Sequence, residues 1–191
     1  MVPHDIEPAE PDYQELVSRA NLHFTRPVPH SGAGLPLGNG RMGSLVWTDP
    51  SELKLQVNRV DVFANDCNTN SLFTFSADHG GGCGLVDICF GTETFSADNT
   101  RQKLSVWDGT VALDGDGVAV QGLAWHEQDV MAFRVDDQRD QGAAIRIEVS
   151  MLRASLVRVL DHTSAGRFEV RGGRGVLIQE FTEGNYVCTT A

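Results

Sequence analysis

From Gly43 onward the sequence is a series of short segments in which apolar and polar residues alternate, with turn signals between them. Residues 52–58 (ELKLQVN) and 144–151 (AIRIEVSM) show the alternation most clearly. A two-residue period is that of a β-strand with one buried face. No helical spacing of apolar residues appears after residue 21. About ten short strands of this kind predict an all-β fold, an antiparallel β-sandwich.

The alternation also predicts which side chains form the interior of the sandwich. In both segments the apolar residues share one strand face, because successive side chains point to opposite sides of a sheet. Burying an aliphatic side chain stabilises a fold by roughly 1.5–3 kcal/mol. We therefore expect six side chains to point inward: Leu53, Leu55, Val57, Ile145, Ile147 and Val149.

The first 34 residues contain five of the seven prolines and little strand pattern. Asp12 and Glu15 have the spacing of a helix capping box, which predicts a short helix over residues 13–20. A proline-rich linker follows at residues 25–34, and we expect it to be extended because the residue before a proline disfavours helix.

These patterns divide the chain into two parts. Residues 1–34 form an N-terminal lead with a short helix and a linker, and residues 35–191 form the sandwich domain. Residues 185–191 have the pattern of the start of a strand with no closing turn. We therefore expect the sandwich to be incomplete at its C-terminus.

The charge of the chain restricts its partners. It carries 15 basic and 26 acidic residues, a formal net charge of −11. Such a surface repels phosphate backbones and anionic membranes, so we expect neither nucleic acid nor membrane as a partner. Neutral sugars are compatible with it, because sugar sites use hydrogen bonds and apolar stacking. The N-terminus lacks the basic and apolar regions of a signal peptide, and the cellular compartment is left open.

Residues 38–43 (GNGRMG) have the glycine spacing of a dinucleotide-binding loop, and Asp61 lies near the distance of the ribose-binding acid. Such a loop needs a strand before it and a helix after it. Here Pro36 precedes the glycines, and residues 44–50 alternate and then break at a proline. We therefore expect a turn between two strands and no nucleotide cofactor.

Three other local patterns favour structural interpretations. Residues 114–117 (DGDG) resemble the start of a calcium loop but lack its closing glutamate, so they predict a hairpin. Residues 80–82 (GGG) can form an anion-binding nest, although a plain turn is favoured. His79, Cys83 and Cys89 have no further histidine or cysteine nearby, and we expect no metal site.

Residues 125–129 (WHEQD) hold an imidazole and two carboxylates, those of Glu127 and Asp129. Paired carboxylates serve as acid and base in glycoside hydrolysis. These two lie at a turn between strands, where carboxylates are mostly solvated and ionised. We therefore expect no catalytic residue in this chain.

Residues 35–46 (LPLGNGRMGSLV), followed after a short turn by residues 52–61 (ELKLQVNRVD), resemble the opening of glycoside hydrolase family 95. That family contains the inverting α-L-fucosidases and related α-L-galactosidases. Residues 36–43 fit its first segment well. In the second segment Asn58 and Asp61 lie near family positions.

The chain also departs from the family pattern. Arg59 and Val60 replace an acid, and Phe63 stands where tryptophan is usual. Beyond residue 63 the chain looks like an uncharacterised bacterial branch of fucosidase-like proteins. The resemblance covers residues 30–63 and continues downstream only as a pattern of strands.

The resemblance implies a large, supersandwich-like β-domain ahead of an (α/α)6 barrel that holds both catalytic carboxylates. It therefore implies no catalytic residue at any position of this chain. The glycines would permit a tight turn at the sandwich edge, and Arg41 would pin the neighbouring loop. The residues that match the family, with this structural role, are Pro36, Gly38, Asn39, Gly40, Arg41, Gly43, Asn58 and Asp61.

Two functions follow as expectations. The first is a non-catalytic N-terminal domain of a fucosidase-like glycoside hydrolase, with a C-terminal helical barrel of the same polypeptide as its partner; family relatives are often exported. The second is a free-standing carbohydrate-binding module, for which Trp107 and Trp125 are the candidate sugar contacts. Packing within the sheet or core is the structural alternative for these two aromatic side chains.

Overall fold

A computed structural model describes residues 10–28, 30–64, 79–140, 144–152, 155–159, 162–183 and 186–190. The described part contains one α-helix, Tyr13–Ser18, a 3-10 turn, Ser31–Ala33, and fourteen β-strands. None of its helices is long and apolar enough to cross a membrane. The strands are β1 Leu22–Phe24, β2 Leu35–Gly38, β3 Met42–Asp49, β4 Glu52–Ala64, β5 His79–Cys89, β6 Arg101–Ser105, β7 Thr110–Asp114, β8 Val118–Ala124, β9 Met131–Asp137, β10 Arg146–Met151, β11 Leu156–Val159, β12 His162–Arg171, β13 Arg174–Glu183 and β14 Tyr186–Thr190.

The strands form three antiparallel sheets, which confirms the predicted all-β, sandwich-like fold. Sheet A has the order β1-β6-β7-β8-β9, and sheet B has the order β10-β5-β4-β3-β2. Sheet C is a four-stranded meander, β11-β12-β13-β14. Most neighbours in space are also neighbours in sequence, as short hairpin turns require.

Sheets A and B enclose the hydrophobic core. Leu53 and Leu55 of β4 are buried, as the alternation predicts, and Val57 packs at the edge of the same cluster. The rings of Phe90 and Phe95 meet edge to face at 5.6 Å, closing one end of the core. The buried cluster consists of Leu35, Leu37, Val46, Leu53, Leu55, Ile88, Phe90, Phe95, Leu104, Val111, Leu113, Val118 and Val120.

The prediction for residues 145–149 is wrong. Ile145, Ile147 and Val149 are 41%, 65% and 40% exposed. The register places Ile147 beside Ile88 and Leu53, so it does share the face that forms the core. However, β10 is the edge strand of sheet B, and these side chains lie beyond the buried cluster between the two sheets. Alternation determines the face of a strand but not whether a second layer covers it.

The glycine-rich segment at residues 80–82 lies within β5 and is not a turn. Glycine at positions 82 and 84 permits close packing instead. A Cβ on Gly84 would lie 2.9 Å from the side chain of Leu177, and one on Gly82 would collide with Leu152. Gln179 also donates a hydrogen bond to the carbonyl of Cys83. Gly84 and the Cys83 carbonyl therefore let β13 of sheet C approach sheet B closely, while Gly82 leaves room for Leu152 after β10.

The N-terminal lead contains the expected helix, since Asp12 caps it by accepting a hydrogen bond from the Glu15 amide at 3.0 Å. Leu16 is exposed and does not dock. Two elements lie where sequence predicted none: β1, which pairs with β6, and the 3-10 turn inside the proline-rich linker. The division of the chain at residue 34 stays a prediction.

Because Ile147 is 65% exposed, a charge at the centre of β10 should not unfold the protein. We expect Ile147→Asp to retain the β-sheet circular dichroism spectrum and a cooperative thermal transition in dilute solution. Leu53→Ala, at a fully buried position, should lower the free energy of unfolding by about 2–5 kcal/mol in urea titrations. An unfolded Ile147→Asp protein would contradict this placement of β10.

Candidate functional site

The segment at residues 38–43 forms the tight turn between β2 and β3. Gly38 pairs with Gly43, and the Asn39 amide donates to the Met42 carbonyl at 3.1 Å. Gly40 has φ of +90°, a left-handed conformation that favours glycine. A strand follows this turn, whereas a dinucleotide-binding loop opens a helix.

Asn39 connects this turn to the loop between β8 and β9, residues 125–130. Its side-chain Nδ2 donates to the carbonyls of Trp125 and Gln128, at 2.8 and 3.0 Å. Its Oδ1 accepts from the amides of Arg41 and Met42, at 2.9 and 2.8 Å. One amide thereby uses both its donors and its acceptor to hold the turn of sheet B against a loop of sheet A.

Four charged side chains beside Asn39 form an arginine–aspartate ladder: Arg41, Asp129, Arg59 and Asp61. Arg41 donates to Oδ1 of Asp129 through Nε at 3.1 Å and Nη2 at 2.9 Å. Arg59 donates to Oδ2 of Asp129 at 2.6 Å. Arg59 also grips Asp61 with Nε and Nη2, at 2.8 and 2.6 Å. The ladder is neutral overall. Arg59 makes a fork-type contact with both oxygens of Asp61, whereas Arg41 directs two donors to one oxygen of Asp129.

The ladder keeps its two carboxylates ionised. Partial removal from water acts to raise the pKa of Asp129, but hydrogen bonds from Arg41 and Arg59 outweigh it and leave that pKa below its ordinary value. Hydrogen bonds from Arg59 likewise lower the pKa of Asp61. A general acid of a glycosidase needs a raised pKa, so these two carboxylates are suited to holding structure rather than to donating protons.

The remaining members of the 125–129 segment point into solvent. The side chains of His126 and Glu127 are 83% and 67% exposed, with Nε2 and Oε1 3.6 Å apart. Asp129 lies in the ladder instead. The two carboxylates of this segment therefore have different environments: Glu127 is exposed to solvent, and Asp129 is bound by two arginines.

A shallow cleft of about 430 Å³ lies on the outer face of sheet A, which we call the outer cleft. The register places Thr110, Leu123 and Ala132 side by side across it. Its floor is mainly apolar and its rim is polar. The lining includes Asp108, Thr110, Ala112, Gln121, Leu123 and Arg134.

Trp107 and Trp125 do not line the outer cleft, but each lies within two residues of one that does, Asp108 and Leu123 respectively. Trp107 belongs to the turn between β6 and β7, and Trp125 directly follows β8. Both turns lie at the same end of sheet A, because Thr110 at the start of β7 pairs with Leu123 near the end of β8. Two strand spacings, about 10 Å, separate the turns. The two indoles are 46% and 48% exposed, so neither is a core aromatic.

A second cleft of about 370 Å³, the junction cleft, lies where sheet C meets the other two sheets. Arg59 and Asp129 of the ladder form part of its wall, and Val57 and Val149 contribute apolar surface. Arg174 of β13 adds a cation from sheet C. This cleft is where the ladder, the uncovered part of sheet B and sheet C come together.

The other family-matching residues lie around the ladder. Pro36 is exposed in β2 opposite Leu45, and Asn58 lies in β4 between Gly43 and Gly82. Sequence reasoning missed the part played by Arg59, which appeared only as a departure from the family pattern. The two-residue spacing of Arg59 and Asp61 on one strand face was the available signal. In the described ranges no three His, Cys, Asp or Glu side chains are placed to hold a metal.

No known protein family matches this chain, and no curated protein matches it significantly. Its functional interpretation therefore depends on the geometry above and on the short segments that resemble the fucosidases.

Removing the amide of Asn39 tests its role as the link between the sheets. Asn39→Ala should lower the free energy of unfolding by roughly 1–3 kcal/mol, because two backbone carbonyls and two amides lose their partner. Amide hydrogen exchange should accelerate in residues 125–130. Asn99→Ala, which removes one exposed hydrogen bond to the Ser96 amide, is the matched control and should change neither. Unchanged exchange in that loop would contradict the assignment.

Proposed function

We propose that this chain is a non-catalytic β-sandwich domain of a fucosidase-like glycoside hydrolase, which packs against a helical barrel of the same polypeptide. The fit of residues 36–43 to the family supports the relationship. The observation that carries the proposal is an apolar surface on sheets B and C that the described part of the chain leaves uncovered.

That surface extends from sheet B to sheet C. Ile147 and Val149 continue the core face of sheet B beyond the packed cluster. On β12, Phe168 and Val170 are 51% and 73% exposed. Phe168 reaches over Gly175, which lines the junction cleft together with Val149. Exposed apolar side chains that form one surface are typical of an interface with another domain or protein.

The ladder is consistent with a supporting role. Both of its carboxylates are engaged by arginines, and their lowered pKa values leave them ionised across the range in which glycosidases act. In this proposal the catalytic residues lie in the barrel. Residues 38–43 stabilise the sandwich that packs against it.

The genomic reading frame and an activity assay test this proposal together. We expect the frame to continue past codon 191 into a long helix-patterned region. The 191-residue chain alone should hydrolyse neither aryl α-L-fucosides nor aryl α-L-galactosides. The downstream polypeptide, expressed separately, should bind this chain on a size-exclusion column.

Charged substitutions then locate the interface. The double variant Phe168→Asp, Val170→Asp should abolish binding of the downstream polypeptide, because it places two charges in an apolar contact. Val60→Asp, at a position that is 58% exposed, is the control and should leave binding intact. A stop codon after residue 191 would overturn the proposal. So would turnover by the chain alone that is lost in both Glu127→Gln and Asp129→Asn.

The outer cleft favours a second candidate function, a carbohydrate-binding module. Two exposed indoles near a shallow, polar-rimmed cleft are suited to stacking against sugar rings. Asn39 binds the backbone carbonyl of Trp125, so the loop that carries this indole is fixed before any ligand arrives.

Titration calorimetry with fucose-containing oligosaccharides tests the second candidate. If it is correct, Trp107→Ala and Trp125→Ala should each weaken binding roughly 2–10-fold, the loss expected for one stacking contact. Val106→Ala, next to Trp107 and also exposed, should bind as the unmodified chain does. Absence of binding by the unmodified chain would exclude the outer cleft as a sugar site. So would two tryptophan variants that each bind as tightly as the unmodified chain.

A further inference from the structure

Strand β10 presents an open, regular edge. It is the last strand of sheet B, and every residue from 144 to 150 is exposed. One row of its side chains is apolar (Ile147, Val149), and the other row is charged (Arg146, Glu148). An exposed edge strand with an apolar row is a template for pairing with another strand.

We propose that β10 pairs with β10 of a second copy of this chain, antiparallel, about a two-fold axis through Ile147. The two B sheets would then join into one continuous ten-stranded sheet. Ile147 would lie opposite Ile147 of the partner subunit. Residue 145 of each subunit would lie opposite residue 149 of the other subunit. Residue 146 of each would likewise lie opposite residue 148 of the other.

The charged row favours this register. With the axis at Ile147, Arg146 faces Glu148 of the partner subunit, and the same contact repeats on the other side of the axis. Moving the axis by one residue, onto Arg146 or onto Glu148, places two like charges directly opposite each other, which is destabilising. The strand is therefore complementary to itself in this register and repulsive in the adjacent ones.

The ion pair inside each strand extends across the axis. Arg146 donates to Glu148 of its own strand at 2.6 Å, and both side chains are more than half exposed. Pairing would bring two such units together, so that each carboxylate lies between two guanidinium groups. These ion pairs would oppose the repulsion expected between two chains of net charge −11.

The apolar row continues across the same axis. In one subunit the order across sheet B is Leu53, Ile88, Ile147. Pairing adds the same three residues in reverse, so that Ile147 changes from an edge position to the centre of a row. Cross-strand pairs of β-branched residues stabilise a sheet. The edge contact leaves Phe168 and Val170 of sheet C free for the barrel, but it shares Ile147 and Val149 with the uncovered surface described above. The charge variants of β10 test the dimer separately from the barrel contact.

Sedimentation equilibrium of charge variants tests the pairing. The unmodified chain should show a concentration-dependent monomer–dimer equilibrium. Arg146→Glu and Glu148→Arg should each weaken dimerisation at least tenfold, because each creates like-charge pairs across the axis. The double variant Arg146→Glu, Glu148→Arg should restore it. Arg134→Glu on β9, the edge strand of sheet A, is the control and should not change the dimer.

Engineered thiols test the register. In Ile147→Cys the two Cα atoms would lie about 4.5–5.5 Å apart, within the span of a disulfide, and the dimer should cross-link on mild oxidation. In Ser150→Cys they would lie about 20 Å apart, at three residues on either side of the axis, and should not cross-link. The unmodified chain measures any cross-linking by its own cysteines.

Three results would overturn the proposal: a chain that is monomeric at its highest soluble concentration, a double charge variant that stays monomeric, or Ser150→Cys cross-linking as fast as Ile147→Cys. Circular dichroism of each variant confirms that it is folded. A monomer that is folded in every variant would count against the dimer without affecting the proposed glycosidase relationship.

Discussion

Asn39 and the arginine–aspartate ladder join the two sheets at one end, where the hydrophobic core no longer reaches. The side chains of Arg41 and Arg59 come from sheet B, while Asp129 belongs to a loop of sheet A. Apolar burial between sheets is non-directional, so it does not by itself fix where a loop lies. Hydrogen bonds to specific carbonyl and carboxylate oxygens do. The junction cleft, whose wall contains Arg59 and Asp129, depends on that link.

The sequence predicted correctly which face of a strand is apolar, but it did not predict whether a second sheet covers that face. Alternation placed Leu53 and Leu55 inward because period two is a property of each strand alone. It placed Ile147 inward by the same reasoning, but burial depends on a second sheet whose extent no local pattern contains. Asn39 shows the same limit, since its carbonyl partners lie 86 and 89 residues away in the chain. Gly82 was predicted as a turn residue, whereas it lies in β5 and leaves room for Leu152, and Gly84 leaves room for Leu177 of sheet C.

The departure at Arg59 changes how the family resemblance is understood. Where the family pattern has an acidic residue, this chain has Arg59, whose guanidinium donates hydrogen bonds to both Asp61 and Asp129. An acid there would place a third negative charge beside two carboxylates and leave only Arg41 to neutralise them. In this chain, therefore, Arg59 and Asp129 depend on each other. Arg139 and Asp137 form a second pair of this kind. Arg139 donates hydrogen bonds to Asp137, which lower the pKa of that carboxyl to about 2. The guanidinium carbon of Arg139 lies 5.7 Å from the centre of the Phe90 ring.

The anchoring of residues 125–130 also has a kinetic consequence. Loops that close over a ligand limit the rates at which it enters and leaves, because each event waits for the loop to move. Here the amide of Asn39 binds the loop at Trp125 and Gln128, and Arg41 binds it at Asp129. A loop held at three positions does not act as a lid. The carbohydrate-binding candidate therefore predicts that a sugar exchanges at rates governed by diffusion and by the lifetime of its own contacts, without waiting for this loop to move.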